Sequence, residues 1–274
     1  MKLIPRSLLK LLSRAARPWL STQGLLLTAK VYNRSALVWN PERETVLVIA
    51  PHMDDEVIGC GGAIARHVAA GARVTVLFLT DGRHGGAVPP GSSRVGDAAP
   101  SLAEVRKREA SAALLELNVR EIAYLDAVDC EVMQTPGLGA RLREHLMRIR
   151  PDLVYLPFFL EEHPDHRAAS YVLRDAVAGT GLKFRCFGYE VWTPLFPNCF
   201  VNIDSTIEIK KKAIGHYRSQ LSDTDYLHTA IGLNAYRSSA LLSDCRYAEA
   251  FCALPVGDYL DLLEAYGRSA AAVR

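Results

Sequence analysis

The 274-residue sequence predicts an α/β fold: a Rossmann-like parallel sheet with helices on both faces. Three observations carry that reading. From residue 45 onward short β-branched runs alternate with longer helical patterns, and each helical stretch is long enough for a right-handed crossover. With 49% hydrophobic and 23% charged residues, the chain can bury one sizeable core. That composition excludes a disordered chain, a collagen-like repeat and a disulfide-stapled mini-domain.

The first strand is expected at 45–50 (TVLVIA), followed by a helix over about 56–70. A second strand at 73–79 (RVTVLFL) leads to a helix over 101–118, and a third at 121–125 (EIAYL) to a helix over 138–149. The fourth strand, 152–156 (DLVYL), precedes a helix near 165–178. The runs 184–192 and 199–203 read as added strands, followed by helices at about 205–217 and 258–267. The expected order of the first four strands is 3-2-1-4. Strands 1 and 4 are then neighbours whose crossovers leave to opposite faces, opening a crevice at their carboxyl ends. Residues 83–100 (RHGGAVPPGSSRVGDAAP) are rich in Gly, Pro and Ser and leave the second strand on the same rim, as a mobile loop over the crevice.

Charge divides the chain in two, a segment 1–41 and a body 42–274. The segment carries seven of the 32 Lys/Arg and no acid, which leaves 25 basic against 30 acidic residues in the body, a net charge of −5. An acidic body argues against a nucleic-acid partner. Lys2, Arg6, Lys10 and Arg14 recur every four residues among Leu8, Leu9, Leu11, Leu12, Trp19 and Leu20. A helix over 7–17 would be a basic amphipathic one, suited to peripheral contact with an anionic membrane through residues 1–20, or to packing on the acidic body. No run of 18 apolar residues spans a membrane, and the basic residues interrupt any secretory signal. The six cysteines (Cys60, Cys130, Cys186, Cys199, Cys245, Cys252) form no C-x-x-C pair. This usage indicates a reducing, cytoplasmic protein, possible contact with the inner membrane face included.

Two polar motifs close the strands that border the crevice. His52, Asp54 and Asp55 follow the first strand, and His163-Pro164-Asp165-His166 follows the fourth. Either alone could be helix capping. Together, at one switch point, they gather imidazoles and carboxylates with no thiolate cluster, the composition of an open catalytic metal site. Zinc is the default, and Fe2+ or another divalent metal also suits a two-His, one-carboxylate set.

The strand-terminal PHMDDEVIGCGG, the TDG after the second strand, the R-x-x-E of Arg106 and Glu109, and the later HPDH together resemble the PIG-L/LmbE family of metal-dependent N-deacetylases, from about residue 46 to 251. The resemblance implies His52, Asp55 and His166 as metal ligands and Asp54 as general base. It implies His163 as the group that stabilises the oxyanion and protonates the leaving amine, with Asp165 orienting it. Met53 stands where many bacterial members have proline, and Glu161 and Glu162 add negative charge beside His163. In this chemistry His163 would act as an imidazolium. The implied reaction is removal of an N-acetyl group from an amino sugar, such as N-acetylglucosamine, in a glycoconjugate or glycolipid precursor. An amidase for a larger acyl group and a non-catalytic glycan-binding or membrane-binding scaffold are the rivals.

Gly59, Gly61 and Gly62 read as close packing of the first helix on the sheet rather than phosphate binding. Arg106 is a candidate for a sugar hydroxyl or phosphate, or for an exposed salt bridge to Glu109. His84 and Arg94, on the long loop, are candidate substrate contacts. His67, His145, His216 and His228 are expected at the surface or core edge.

Overall fold

The computed structural model describes residues 36–87, 100–221, 224–241 and 244–271. The expected helix over 7–17, Arg94 and most of the 83–100 loop lie outside the described residues. Eight strands form one sheet: β1 (Leu37–Val38), β2 (Thr45–Ala50), β3 (Arg73–Thr80), β4 (Glu121–Ala127), β5 (Leu153–Pro157), β6 (Arg185–Tyr189), β7 (Cys199–Asn202) and β8 (Ala248–Pro255). Their spatial order is β1-β7-β8-β6-β5-β2-β3-β4. The β5-β2-β3-β4 portion, all parallel, is the 3-2-1-4 order expected from sequence. The helices are α1 (Asp55–Ala69), α2 (Leu102–Glu116), α3 (Leu138–Ile149), α4 (Pro164–Val177), α5 (Ile207–Ile214), α6 (Arg218–Leu221), α7 (Tyr226–Ser238) and α8 (Val256–Ala271). Two hydrophobic clusters, one on each face of the sheet, form the core.

Sequence and structure differ at the added end. The sheet is mixed there, because β8 runs antiparallel to both β6 and β7. Neither β8 nor α7 is among the expected elements, and the expected 205–217 helix is shorter, with α6 after it. Leu37 and Val38 pair with β7 as an edge strand, and the Trp39 ring packs edge-on against Phe187 at 5.4 Å. His67 is fully buried, its Nε2 3.0 Å from the Tyr155 hydroxyl, because the last turn of α1 lies over the sheet centre rather than its margin. His145 and His216 are partly exposed and His228 is exposed. Among the described residues no helix is long and apolar enough to cross a membrane.

Helix α1 is broken at Cys60 (φ −146°, ψ 21°). Glu249 of β8 accepts the freed N–H groups of Gly62 (2.8 Å) and Ala63 (2.7 Å). Lys210 of α5 donates to the Ile58 carbonyl (2.8 Å) and to Glu249 (2.7 Å), both side chains fully buried. A helix break in a core leaves orphan backbone groups, and here an ion pair satisfies them. Gly59 and Gly62 pack as expected: a Cβ at Gly62 would lie 2.7 Å from Ile203, and one at Gly59 would enter the Tyr189 ring, whereas one at Gly61 would meet Lys210 at an ordinary 3.4 Å. The Tyr189 ring cannot swing aside freely, since its hydroxyl donates to the Ile49 carbonyl at 3.0 Å. Gly59→Ala is therefore expected to destabilise by about 1–3 kcal/mol, seen as a lower denaturant midpoint at unchanged m-value. An unshifted midpoint would show that Tyr189 moves at no cost.

Candidate active site

The pairing of β2 with β5 brings the two polar motifs to one crevice. Asp54, the residue before α1, has φ 139° and ψ −29°, a conformation L-residues rarely adopt. Its surroundings hold it there. The Asp54 N–H donates to Glu56 (3.1 Å), whose other carboxylate oxygen accepts the Tyr217 hydroxyl. Arg106, buried, donates to the Met53 carbonyl (3.0 Å), to Asp54 Oδ1 (3.4 Å) and to the Gly82 and His84 carbonyls (3.4 and 3.2 Å). Arg106 thus braces the turn and the TDG loop rather than lying exposed beside Glu109, which instead accepts the N–H and hydroxyl of Ser219.

On the other side, His163 caps α4 and Pro164 takes its first position, as expected from sequence. The three imidazoles stand close, with ring centroids 4.7 Å apart for His52 and His163, 5.4 Å for His52 and His166, and 4.9 Å for His163 and His166. Asp55 lies between two of them: its Oδ2 is 3.3 Å from His52 Nδ1, and its Oδ1 is 3.2 Å from His166 Nε2. The far nitrogen of each ring is held by other carboxylates. His52 Nε2 is 3.1 Å from Asp129 and 3.2 Å from Asp165, and His166 Nδ1 is 3.4 Å from Glu161. Glu161 in turn accepts the backbone N–H groups of Val191, Trp192 and Thr193.

One nitrogen each of His52, His163 and His166 lies within 4.8 Å of the others, a group that could hold a metal ion, and Asp55 meets two of these rings. His166 Nε2 is buried and makes no acceptable hydrogen bond, which would be a costly orphan unless a cation took its lone pair. Carboxylates behind each ring are the usual support for imidazole ligands. Asp165, expected to orient His163 through its carboxylate, differs: the carboxylate serves His52 and the N–H groups of Cys130 (2.7 Å) and Val132 (3.2 Å). It is the Asp165 backbone N–H that donates to His163 Nδ1, at 3.2 Å. In the first turn of a helix the side chain two residues past the cap points away from the cap, and the amide points toward it.

Electrostatics separate the carboxylates. Burial pushes Asp54 up to about 7, with Arg106 opposing. Burial likewise pushes Glu56 up to about 8, against its hydrogen bond from Tyr217. Asp129 is also raised by burial, but its hydrogen bond and charge interaction with His52 win and hold it at about 2. For His166 burial works against the charged form, yet Asp55 and Glu161 lift it to about 9. His163 is lowered by burial and by the neighbouring His52 and His166. The expected imidazolium is therefore disfavoured. With Nδ1 accepting an N–H, the proton of neutral His163 sits on Nε2.

The sequence profile of PIG-L, GlcNAc-PI de-N-acetylase, matches residues 47–177. The diacetylchitobiose deacetylase of Thermococcus kodakarensis is 31% identical over 196 residues, 65% of this chain and 70% of its own. The chain belongs to the PIG-L family. A second PIG-L-like relative, the 1D-myo-inositol 2-acetamido-2-deoxy-alpha-D-glucopyranoside deacetylase of Streptomyces griseus, is 33% identical over 153 residues, 48% of this chain and 47% of its own. The structure of N,N'-diacetylchitobiose deacetylase from Pyrococcus horikoshii, complexed with its inhibitor MPG, superposes with a TM-score of 0.64 at 25% identity, covering 90% of this chain and 94% of that one.

In this PIG-L member the charge state of the site makes metal-free stability pH-dependent. His166 has a folded pKa of about 9 against an ordinary 6.5, so its contribution is full below 6.5 and lost as pH rises through 9. Asp54 and Glu56, raised to about 7 and 8, act in the same direction, because the folded state binds the extra protons. Asp129 acts oppositely, but only below its ordinary 3.8. The denaturant midpoint of the metal-free protein is expected to fall between pH 6.5 and 9. A flat or rising midpoint would remove these protonated groups from the metal-free site.

Proposed function

We propose that this PIG-L member is a zinc-dependent N-deacetylase for an N-acetylated amino sugar in a glycoconjugate or glycolipid precursor, with Fe2+ compatible with the same ligand set. The observation that carries the reading is the convergence of His52 Nδ1 and His166 Nε2 on Asp55, with Asp54 beside them in the crevice. The two deacetylase relatives, one for diacetylchitobiose and one for an acetamido-glucopyranoside of inositol, support the sugar class.

His52, Asp55 and His166 would hold the divalent metal, which would supply polarisation of the amide carbonyl and a lowered pKa, about 7, for an attacking water. Asp54, held beside the ligand residues by Arg106, accepts the proton of that water. His163 donates its Nε2–H to the carbonyl oxygen as negative charge builds there, which a neutral imidazole can do. The proton on Asp54 is then available to the amide nitrogen, and the C–N bond breaks to give acetate and a free amine. Arg106 holds Asp54 in line through its contact to Oδ1.

Metal-loaded protein incubated with a panel of N-acetylhexosamine conjugates should release acetate and free amine in equal amounts. Release of amine from conjugates carrying a larger N-acyl group but not from the N-acetyl ones would favour the amidase rival, and no amine from either would favour a binding scaffold. Residues 1–20, with their five basic side chains, are assigned peripheral contact with the cytoplasmic membrane face, at about 1 kcal/mol per basic residue. Their deletion is expected to abolish sedimentation with anionic vesicles while sparing turnover of a soluble substrate. Unchanged sedimentation would overturn that assignment.

A further inference from the structure

A second cluster of ligand-type side chains stands at the mouth of the crevice, outside the set that performs the proposed chemistry. His84, Asp129 and Cys130 each offer one ligand atom, all within 4.8 Å of one another. His84 and Cys130 are exposed, and Asp129 lies buried behind them.

The backbone fixes all three. His84 donates its N–H to Asp129 Oδ2 at 3.0 Å, and its own carbonyl accepts from Arg106 at 3.2 Å. His84 Nδ1 lies 3.2 Å from the Asp129 carbonyl oxygen, which can only accept. The ring proton therefore sits on Nδ1 and the lone pair on Nε2, the arrangement of an imidazole prepared to bind a cation. Cys130 has φ 68°, and its N–H is pinned by Asp165 at 2.7 Å. Its Sγ lies 3.6 Å from Asp129 Oδ1.

We propose that His84, Asp129 and Cys130 form a second, separate site for a thiophilic divalent cation, and that filling it slows the enzyme. A thiolate with an imidazole selects Zn2+, Cd2+ or Co2+ over Mg2+ and Ca2+. Three protein ligands at an open mouth leave the remaining position to water. Binding exchanges the thiol proton, released to solvent, for the cation, with no change of oxidation state. The coupling to turnover runs through Asp129, whose Oδ1 is 3.1 Å from His52 Nε2. A cation at the mouth draws that carboxylate outward and leaves Asp165 alone behind His52. Loss of such a supporting carboxylate weakens an imidazole ligand about 10-fold to 100-fold.

The sulfur makes the two sites separable by spectroscopy, because His52, Asp55 and His166 contain none. Metal-free full-length protein is titrated with Co2+. The first equivalent is expected to give visible bands without a thiolate band, and the second a near-ultraviolet thiolate-to-Co2+ charge-transfer band. Cys130→Ser should lose that band and the second equivalent while keeping the first, which also shows that the variant is folded. Cys245→Ser, at the other solvent-reached thiol, should keep both. In activity assays Zn2+ beyond one equivalent should slow the parent protein, and Cys130→Ser should need about tenfold more. Absence of the thiolate band from the parent, or its persistence in Cys130→Ser, overturns the site. Equal Zn2+ sensitivity of the two proteins overturns the coupling. Loss of the first equivalent alone would count against the proposed catalytic metal, not against the second site.

Discussion

Asp54→Asn is expected to keep its metal and lose its turnover, with kcat reduced about 10²-fold or more and KM little changed. Asparagine matches aspartate in size, tolerates positive φ, and keeps an oxygen for the Arg106 contact at 3.4 Å. What it cannot do is accept a proton from water. The variant should also be no less stable above pH 7, because burial disfavours the charged carboxylate that it removes. Elemental analysis beside steady-state kinetics checks both halves. Near-normal turnover at full metal occupancy would sink the assigned mechanism even if deacetylation were confirmed. His163→Ala is expected to act on kcat as well, because the charge its Nε2–H meets exists only in the transition state.

His166→Ala should fail earlier, at the metal itself. Only His52 and Asp55 remain, too few protein ligands for a tight catalytic site. Asp55 Oδ1 loses the ring nitrogen 3.2 Å away, and Glu161 keeps its three backbone partners with nothing left to orient. Metal content after desalting is expected to drop to background, and turnover with it. Equal metal in variant and parent would remove His166 from the ligand set.

What the sequence made legible depended on how local the signal was. The strands β2, β3 and β5 are dense apolar runs, and their order is the one a doubly wound sheet of this type adopts. Strand β8 reads AEAFCALP, with alanines for branched residues and Glu249 as its second residue. It is a strand because β6 and β7 pair with it, and its acid is tolerable because Lys210 and the Gly62 and Ala63 N–H groups meet it. Helix α7 buries only Ala230 and Asn234, so its amphipathic signal is faint.

The site shows the same divide. His52, Asp55, His163 and His166 sit beside strand ends, where topology collects them. Asp129 gives no pattern. It follows β4, two strands from β2, and reaches His52 only because residues 128–132 fold back over the rim. Glu161 looked like added charge beside His163, but its backbone partners come from residues 191–193, which no spacing rule links to it. The family resemblance gives Asp165 the task of orienting His163, whereas the fold places its carboxylate against His52.

The buried Lys210–Glu249 pair has a consequence in time. The residues assigned to the metal all precede position 177, within the span that the family profile matches. Yet the break in the helix that begins at Asp55 is closed by side chains from positions 210 and 249, and the Asp54 turn is braced through Tyr217. A nascent chain therefore exposes its imidazoles and carboxylates to the cell's metals well before it can arrange them, at 5–20 residues per second of synthesis. The arrangement of these side chains has to wait until β8 has left the ribosome.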